Sequence, residues 1–142
     1  MRVTRRILVV IVAVMLVTGL AFAGDEPKQA DNPNMDRIVE NLVHGLYIDN
    51  CGVEHDCLWL LGELKRTEGI IRILELLHDD SCEPCRICAA LALCRIGDPR
   101  GTYAVKCAVK DDPSPRVRNL CAYFYNEYVR QGTFAFVAVP EK

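Results

Sequence analysis

Eight cysteines in a short chain are the residues here most capable of chemistry, and three of them sit in one run, Ser81-Cys82-Glu83-Pro84-Cys85-Arg86-Ile87-Cys88. Three chemistries use this spacing. Thiolates so placed hold zinc or an iron–sulfur cluster. Cys82-Glu83-Pro84-Cys85 also has the C-x-P-C form of a redox dithiol at a helix start, where the dipole lowers a thiol pKa. Finally, cysteines in an exported domain serve as disulfide staples.

Helix geometry weighs on the metal reading. Cys85 and Cys88 lie about 60° apart on a helix with Cys82 at its cap, so the three can converge. Cys94, nine residues beyond Cys85, is about 180° round the helix and points away. It precedes Arg95 rather than the proline of the ferredoxin pattern. A remote ligand, Cys51, Cys57 or His55, would have to complete such a site. The redox reading lacks the βαβ context of thioredoxin-like enzymes, and Glu83 puts negative charge between the thiols. Structural disulfides are therefore the leading expectation for Cys51, Cys57, Cys82, Cys85, Cys88, Cys94, Cys107 and Cys121, with Cys82/Cys85 redox chemistry and metal binding as alternatives.

The first residues set the compartment. Arg2, Arg5 and Arg6 precede an apolar run from Ile7 to Val17, and Ala21-Phe22-Ala23 follows just before Gly24. This is the layout of a secretory signal peptide over 1–23, and the run is short for a spanning helix, which needs about 20 residues. The expected location is the periplasm or the extracellular space, with no stable membrane insertion after cleavage. Loss of the three arginines takes the net charge from −2 to −5, which argues against nucleic acid as a partner. Residues 24–34, rich in Pro, Asp, Asn and Lys, read as a flexible leader, 35–130 as one helical domain, and 131–142 as an apolar C-terminal tail.

An internal repeat organises that domain. At an offset of 32, Asp79 and Asp80 fall on Asp111 and Asp112, Arg86 on Arg118, Leu93 on Tyr125 and Ile96 on Tyr128. The same step backwards sets Cys57, Leu60, Leu61 and Leu64 under Ala89, Ala92, Leu93 and Ile96. Each unit reads as a helix pair. The first helix of the middle unit spans 83–96, with its stripe at Cys85, Ala89, Ala92, Leu93 and Ile96. Gly97 closes it, and Asp98-Pro99 starts the second helix, which runs to about Lys110. The preceding unit has helices over 57–64 and 69–78, and a leading helix covers 35–47. Cys51 and Cys82 thereby occupy equivalent turns, where a bond between them would clamp neighbouring units.

Residues 83–100, E-P-C-R-I-C-A-A-L-A-L-C-R-I-G-D-P-R, resemble HEAT-like repeats of the phycobilisome-lyase type. The family's Val-Arg pair becomes Cys85-Arg86 and then Val117-Arg118, and Ile-Gly-Asp-Pro-Arg closes the helix. The resemblance is good over 79–118, fair over 53–128 and weak outside. It implies an all-α fold, a short α-solenoid of helix pairs, and a binding scaffold rather than an enzyme, needing no cofactor. It also implies ion pairs among Asp80, Arg86, Asp112 and Arg118 that ladder neighbouring repeats together. Solenoids usually need about three repeats, and this one has some two and a half. Disulfides, at roughly 2–4 kcal/mol each, would offset the shortfall.

The expected function is that of an exported protein-binding or scaffold module. Arg72, Glu75, Tyr103 and Lys106 would form a binding face on the second helices, joined by the outward Tyr123. Tyr125 and Tyr128 are expected in the core. Glu75-Leu76-Leu77-His78 has the E-x-x-H form of a di-iron helix but occurs once, so a solvated helix end explains it. No G-x-S-x-G, H-E-x-x-H or phosphate-loop motif is present.

Overall fold

The computed structural model describes residues 34–79 and 82–135. The signal-peptide segment, nearly all of the leader, Asp80 and residues 136–142 lie outside the described residues. Those described form six α-helices and no strand: α1 Met35–Gly45, α2 Cys51–Glu63, α3 Ile70–Asp79, α4 Glu83–Ile96, α5 Pro99–Asp111 and α6 Pro115–Phe124, the last running into a π-helical turn, Tyr125–Val129. None of these helices is long and apolar enough to cross a membrane. The all-α expectation therefore stands.

The starts of the long helices keep one register. Asn50, Cys82 and Ser114 are the N-caps of α2, α4 and α6, each 32 residues after the last. Asn50 accepts hydrogen bonds from Gly52 N and Val53 N at 3.0 and 3.2 Å, which satisfies two of the orphan donors of a helix start. The helix ends keep register too. Gly97, at φ +76°, closes α4 by donating its N–H to Leu93 O at 3.1 Å. Thirty-two residues earlier Lys65 takes the same left-handed conformation, φ +50°. Arg66 N and Lys65 N bond back to Leu61 O and Gly62 O in a Schellman turn. The upstream end, though it lacks the glycine, thus keeps a left-handed residue, while the hydrogen bonds that close it differ, one bond at Gly97 and two after Leu64. Helix α2 nevertheless begins six residues before the expected 57, because Asn50 caps it, and no apolar stripe marks that first turn.

Helices α2, α4 and α6 pack in succession, while α3 and α5 pack on each other and against α4. The core between them holds Leu58, Leu61, Ile73, Leu77, Ala89, Leu93, Val105 and Val117, all fully buried, each large side chain contributing roughly 1.5–3 kcal/mol. Helices α2 and α4 approach closely at Gly62, where a Cβ would stand 3.2 Å from Ala92 Cα. At the other end α1 leans on α2 at Gly45, and a Cβ there would collide with Cys57 Sγ.

Two aromatic and apolar expectations change. Leu60, aligned with the buried Ala92, is 43% exposed: Ala92 packs against α2 at Gly62, whereas α1 meets α2 at Val53 and Cys57. Tyr128, expected in the core, is 47% exposed. The π turn, closed by Arg130 N to Tyr125 O at 2.9 Å, adds a residue to the winding and rotates Tyr128 off the buried line. Tyr125 remains partly buried, edge-on to Phe134 at 5.3 Å. Phe134 is fixed by a pair of hydrogen bonds with the Asn126 side chain, so this first part of the apolar tail covers the last turn of the bundle.

Candidate functional site

Two helix starts meet where α2 and α4 lie side by side. Cys51 is the first residue of α2, Cys82 caps α4, and Cys85 sits in the first turn of α4. Their three Sγ atoms all lie within 4.8 Å of one another, with Cys51 Sγ donating to Cys82 Sγ at 3.7 Å. Burial is graded: Cys85 is fully buried, Cys82 half-buried and Cys51 exposed. The Cys51 thiol is held above its ordinary pKa. Its hydrogen bond with Cys85 lowers the pKa, but the hydrogen bond and charge of Cys82, with burial and Glu54, outweigh it. No pair among the eight cysteines stands at disulfide distance.

The structure thus takes two cysteines from the 82–88 run and adds one from 31 residues upstream. Cys88, third in the run, is outside the cluster, and burial raises its thiol pKa. His55, another suggested remote ligand, is outside it too; its Nε2 is buried with no hydrogen-bond partner among the described residues. Cys57, against Gly45, is raised by burial and by the charges of Asp56 and Glu54. Cys94 lies on another side of α4, as its angular separation requires, in the electrostatic company of Cys121 on α6. Burial first, and then that neighbour, pushes Cys94 up to about 12; burial and Asp112 push Cys121 to the same value. Such thiols are inert at neutral pH. Cys107 lines a small cavity of about 100 Å³ beside His78 and Asp111, yet no hydrogen bond joins Cys107 to His78 among the described residues.

The next junction, between α4 and α6, carries charge instead. Arg86 grips Asp112 with two bonds, Nε–Oδ2 at 2.9 Å and Nη2–Oδ1 at 3.1 Å, both residues more than nine-tenths buried. Asp112 also accepts from Ser114 N at 2.8 Å. Glu83, which with Pro84 separates Cys82 from Cys85, accepts from Ser114 Oγ at 2.7 Å, so its carboxylate serves α6 rather than the thiols. Arg118 donates to the carbonyls of Asp112 and Pro113 at 2.6 and 3.2 Å, tying its own loop.

Of the suggested binding face, Glu75, Tyr103 and Lys106 are exposed, Tyr103 by 69%. Arg72 is engaged internally: it donates to Leu46 O at 3.1 Å, pairs with Glu75 at 3.2 Å and the buried Glu54 at 4.0 Å, and covers the Tyr47 ring. Tyr123 is half-exposed, edge-on to Phe124. A further feature escaped the sequence. Arg95 lies 4.0 Å over the Trp59 ring and 5.5 Å from Tyr128, and pairs with Glu63 at 2.6 Å. Only the offset between Trp59 on α2 and Arg95 on α4 hints at it, and that offset has no meaning until the helices are paired. No protein-family model, curated protein or solved structure matches the chain.

Proposed function

We propose that the chain is an exported, non-enzymatic binding module: a short α-solenoid of HEAT-like helix pairs whose first junction is clamped by thiols. The observation that carries this reading is the common register of the N-caps Asn50, Cys82 and Ser114 and of the left-handed ends Lys65 and Gly97. A chain that starts and stops successive helices at a fixed interval stacks equivalent units, and such stacks offer extended faces to other proteins. The exposed Glu75, Tyr103 and Lys106 on α3 and α5 form the face for a protein partner, in the periplasm or outside the cell. Cys51 and Cys82 hold the first two units together, which supports a stack too short to be stable on area alone.

Two experiments test the two halves of the proposal. Inserting a second copy of residues 83–114 after Ser114 should give a longer, folded and more stable chain, because stacked repeats add nearest-neighbour contacts; an aggregated or unfolded product would sink the repeat reading. A photo-crosslinking residue in place of Tyr103, expressed in the native host, should give one discrete adduct that charge reversal at Lys106 abolishes. Adducts of the same pattern from the outward side of α1 would remove the binding face from α3 and α5.

A further inference from the structure

A disulfide needs two sulfurs, and the α2/α4 junction brings three. We propose that Cys51, Cys82 and Cys85 together bind one thiophilic divalent ion of the Zn²⁺ class, leaving a fourth position to water or to an incoming ligand. The inference rests on the thiol clamp of the proposed module and assigns its chemistry.

Distance is the first reason. Four thiolates about 2.3 Å from zinc stand roughly 3.8 Å apart along each edge of the tetrahedron. Cys51 and Cys82 stand 3.7 Å apart, and Cys85 is within 4.8 Å of both, so small side-chain rotations complete a three-sulfur face. The second reason is the field. Each ligand sits in the first turn or at the cap of a helix, so two macrodipoles direct their positive ends at the developing thiolates. Cys82 makes no capping hydrogen bond with its side chain; its Sγ is instead the acceptor of the Cys51 thiol.

The third reason is what a disulfide would face. A Cys51–Cys82 bond would have the Cys85 sulfur beside it, and a neighbouring thiolate attacks a disulfide through a mixed intermediate. An ion uses all three sulfurs and removes the attacker. Because Cys51 is exposed and Cys85 buried, the ion would lie at the surface with one side open. No other His, Cys, Asp or Glu joins the three within the same distance among the described residues, and in the proposal water or an incoming ligand takes the fourth place. Binding exchanges protons for metal: three thiols release three protons per ion, and affinity rises with pH until the thiols are ionised.

The test uses the full mature chain, reduced and handled without oxygen, with Co²⁺ as an optical probe and Zn²⁺ as competitor. One Co²⁺ per chain should bind with sulfur-to-cobalt charge transfer and the intense visible bands of a tetrahedral site, with release of three protons, and Zn²⁺ should displace it. Cys51→Ser should weaken binding by more than about 100-fold, since even partners outside the ligand shell are worth 10–100-fold. Cys88→Ser should leave it unchanged. Cys85→Ser alters a buried position, so the decisive variants are Cys51→Ser and Cys82→Ser, whose side chains reach solvent. The proposal is overturned by a reduced chain that gives no thiolate–cobalt band, or by a band that survives Cys51→Ser and is lost with Cys88→Ser. It is equally overturned if protein taken from its native compartment without reductant carries a Cys51–Cys82 disulfide and no metal by mass spectrometry.

Discussion

Helix α4 has two neighbours of the same kind, and it is joined to them by opposite chemistries. Toward α2 the contact at the helix starts is sulfur, graded from buried to exposed; toward α6 it is a buried, doubly bonded ion pair with Glu83 and Ser114 beside it. Equivalent places in the register therefore do different work. The Arg86–Asp112 pair is sealed from water and fixed in kind, because removing either partner strands a charge. The thiol junction opens to solvent through Cys51, where reagents and ions that never meet the ion pair have access to it.

The widest gap between the junctions should appear on cutting each one. Arg86→Met leaves Asp112 buried without its partner and should cost about 3–5 kcal/mol in urea unfolding. A loss within about 1 kcal/mol would mean that Asp112 finds water and that the junction is less sealed than its burial implies.

Alkali separates the junctions next. Cys94 and Cys121, near the ion-pair side, are raised from 9.0 to about 12 in the folded chain. Their stabilisation is fully present below the unfolded pKa. Above about pH 9 the unfolded chain loses protons that the folded chain keeps, so stability falls between about pH 9 and 12. The slope is on the order of 1 kcal/mol per pH unit for each thiol. Cys94→Ala, compared with the wild type at a series of pH values, should take about 1 kcal/mol per pH unit out of that slope; an unchanged slope would place the titration elsewhere.

Smaller effects sit at the helix ends. Lys65→Gly should add about 1 kcal/mol, since Lys65 bears a left-handed backbone that glycine adopts without strain. Gly97→Lys should cost about 1–2 kcal/mol, and thermal unfolding of the two variants would show opposite signs. Least of all, Cys51→Ser in the reduced, metal-free chain should change stability by less than about 1 kcal/mol, because only the weak hydrogen bonds of an exposed thiol to Cys82 and Cys85 are altered. A larger loss without metal would make the thiols a packing element in their own right.

Much of this architecture is legible in the residues, and the reasons differ from place to place. Helix α4 has the expected bounds because Pro84 and Gly97 punctuate it and its stripe has one clear period. Its Cys85 lies inward because the register gives it a valine's place. The meeting of Cys51 with Cys82 follows from the same register, whereas Cys85 joins them, and Cys88 does not, only through the packing of α2 on α4. Arg72 illustrates the limit: spacing puts it on an outward face, but its long side chain reaches back to Glu54 and Leu46. Tyr128 shows another, since a π turn breaks the 3.6-residue period by which its side of the helix is assigned.

Trp59 is the chain's single tryptophan, and its indole lies beneath the Arg95 guanidinium with about half its surface in solvent. The protein therefore carries a built-in optical gauge of the α2/α4 seam. Any event that parts the two helices, at the thiols or beyond, lifts the guanidinium from the ring and should alter the emission of one identifiable fluorophore. Clamp chemistry, repeat insertion and unfolding can all be followed in that one signal without attaching a label.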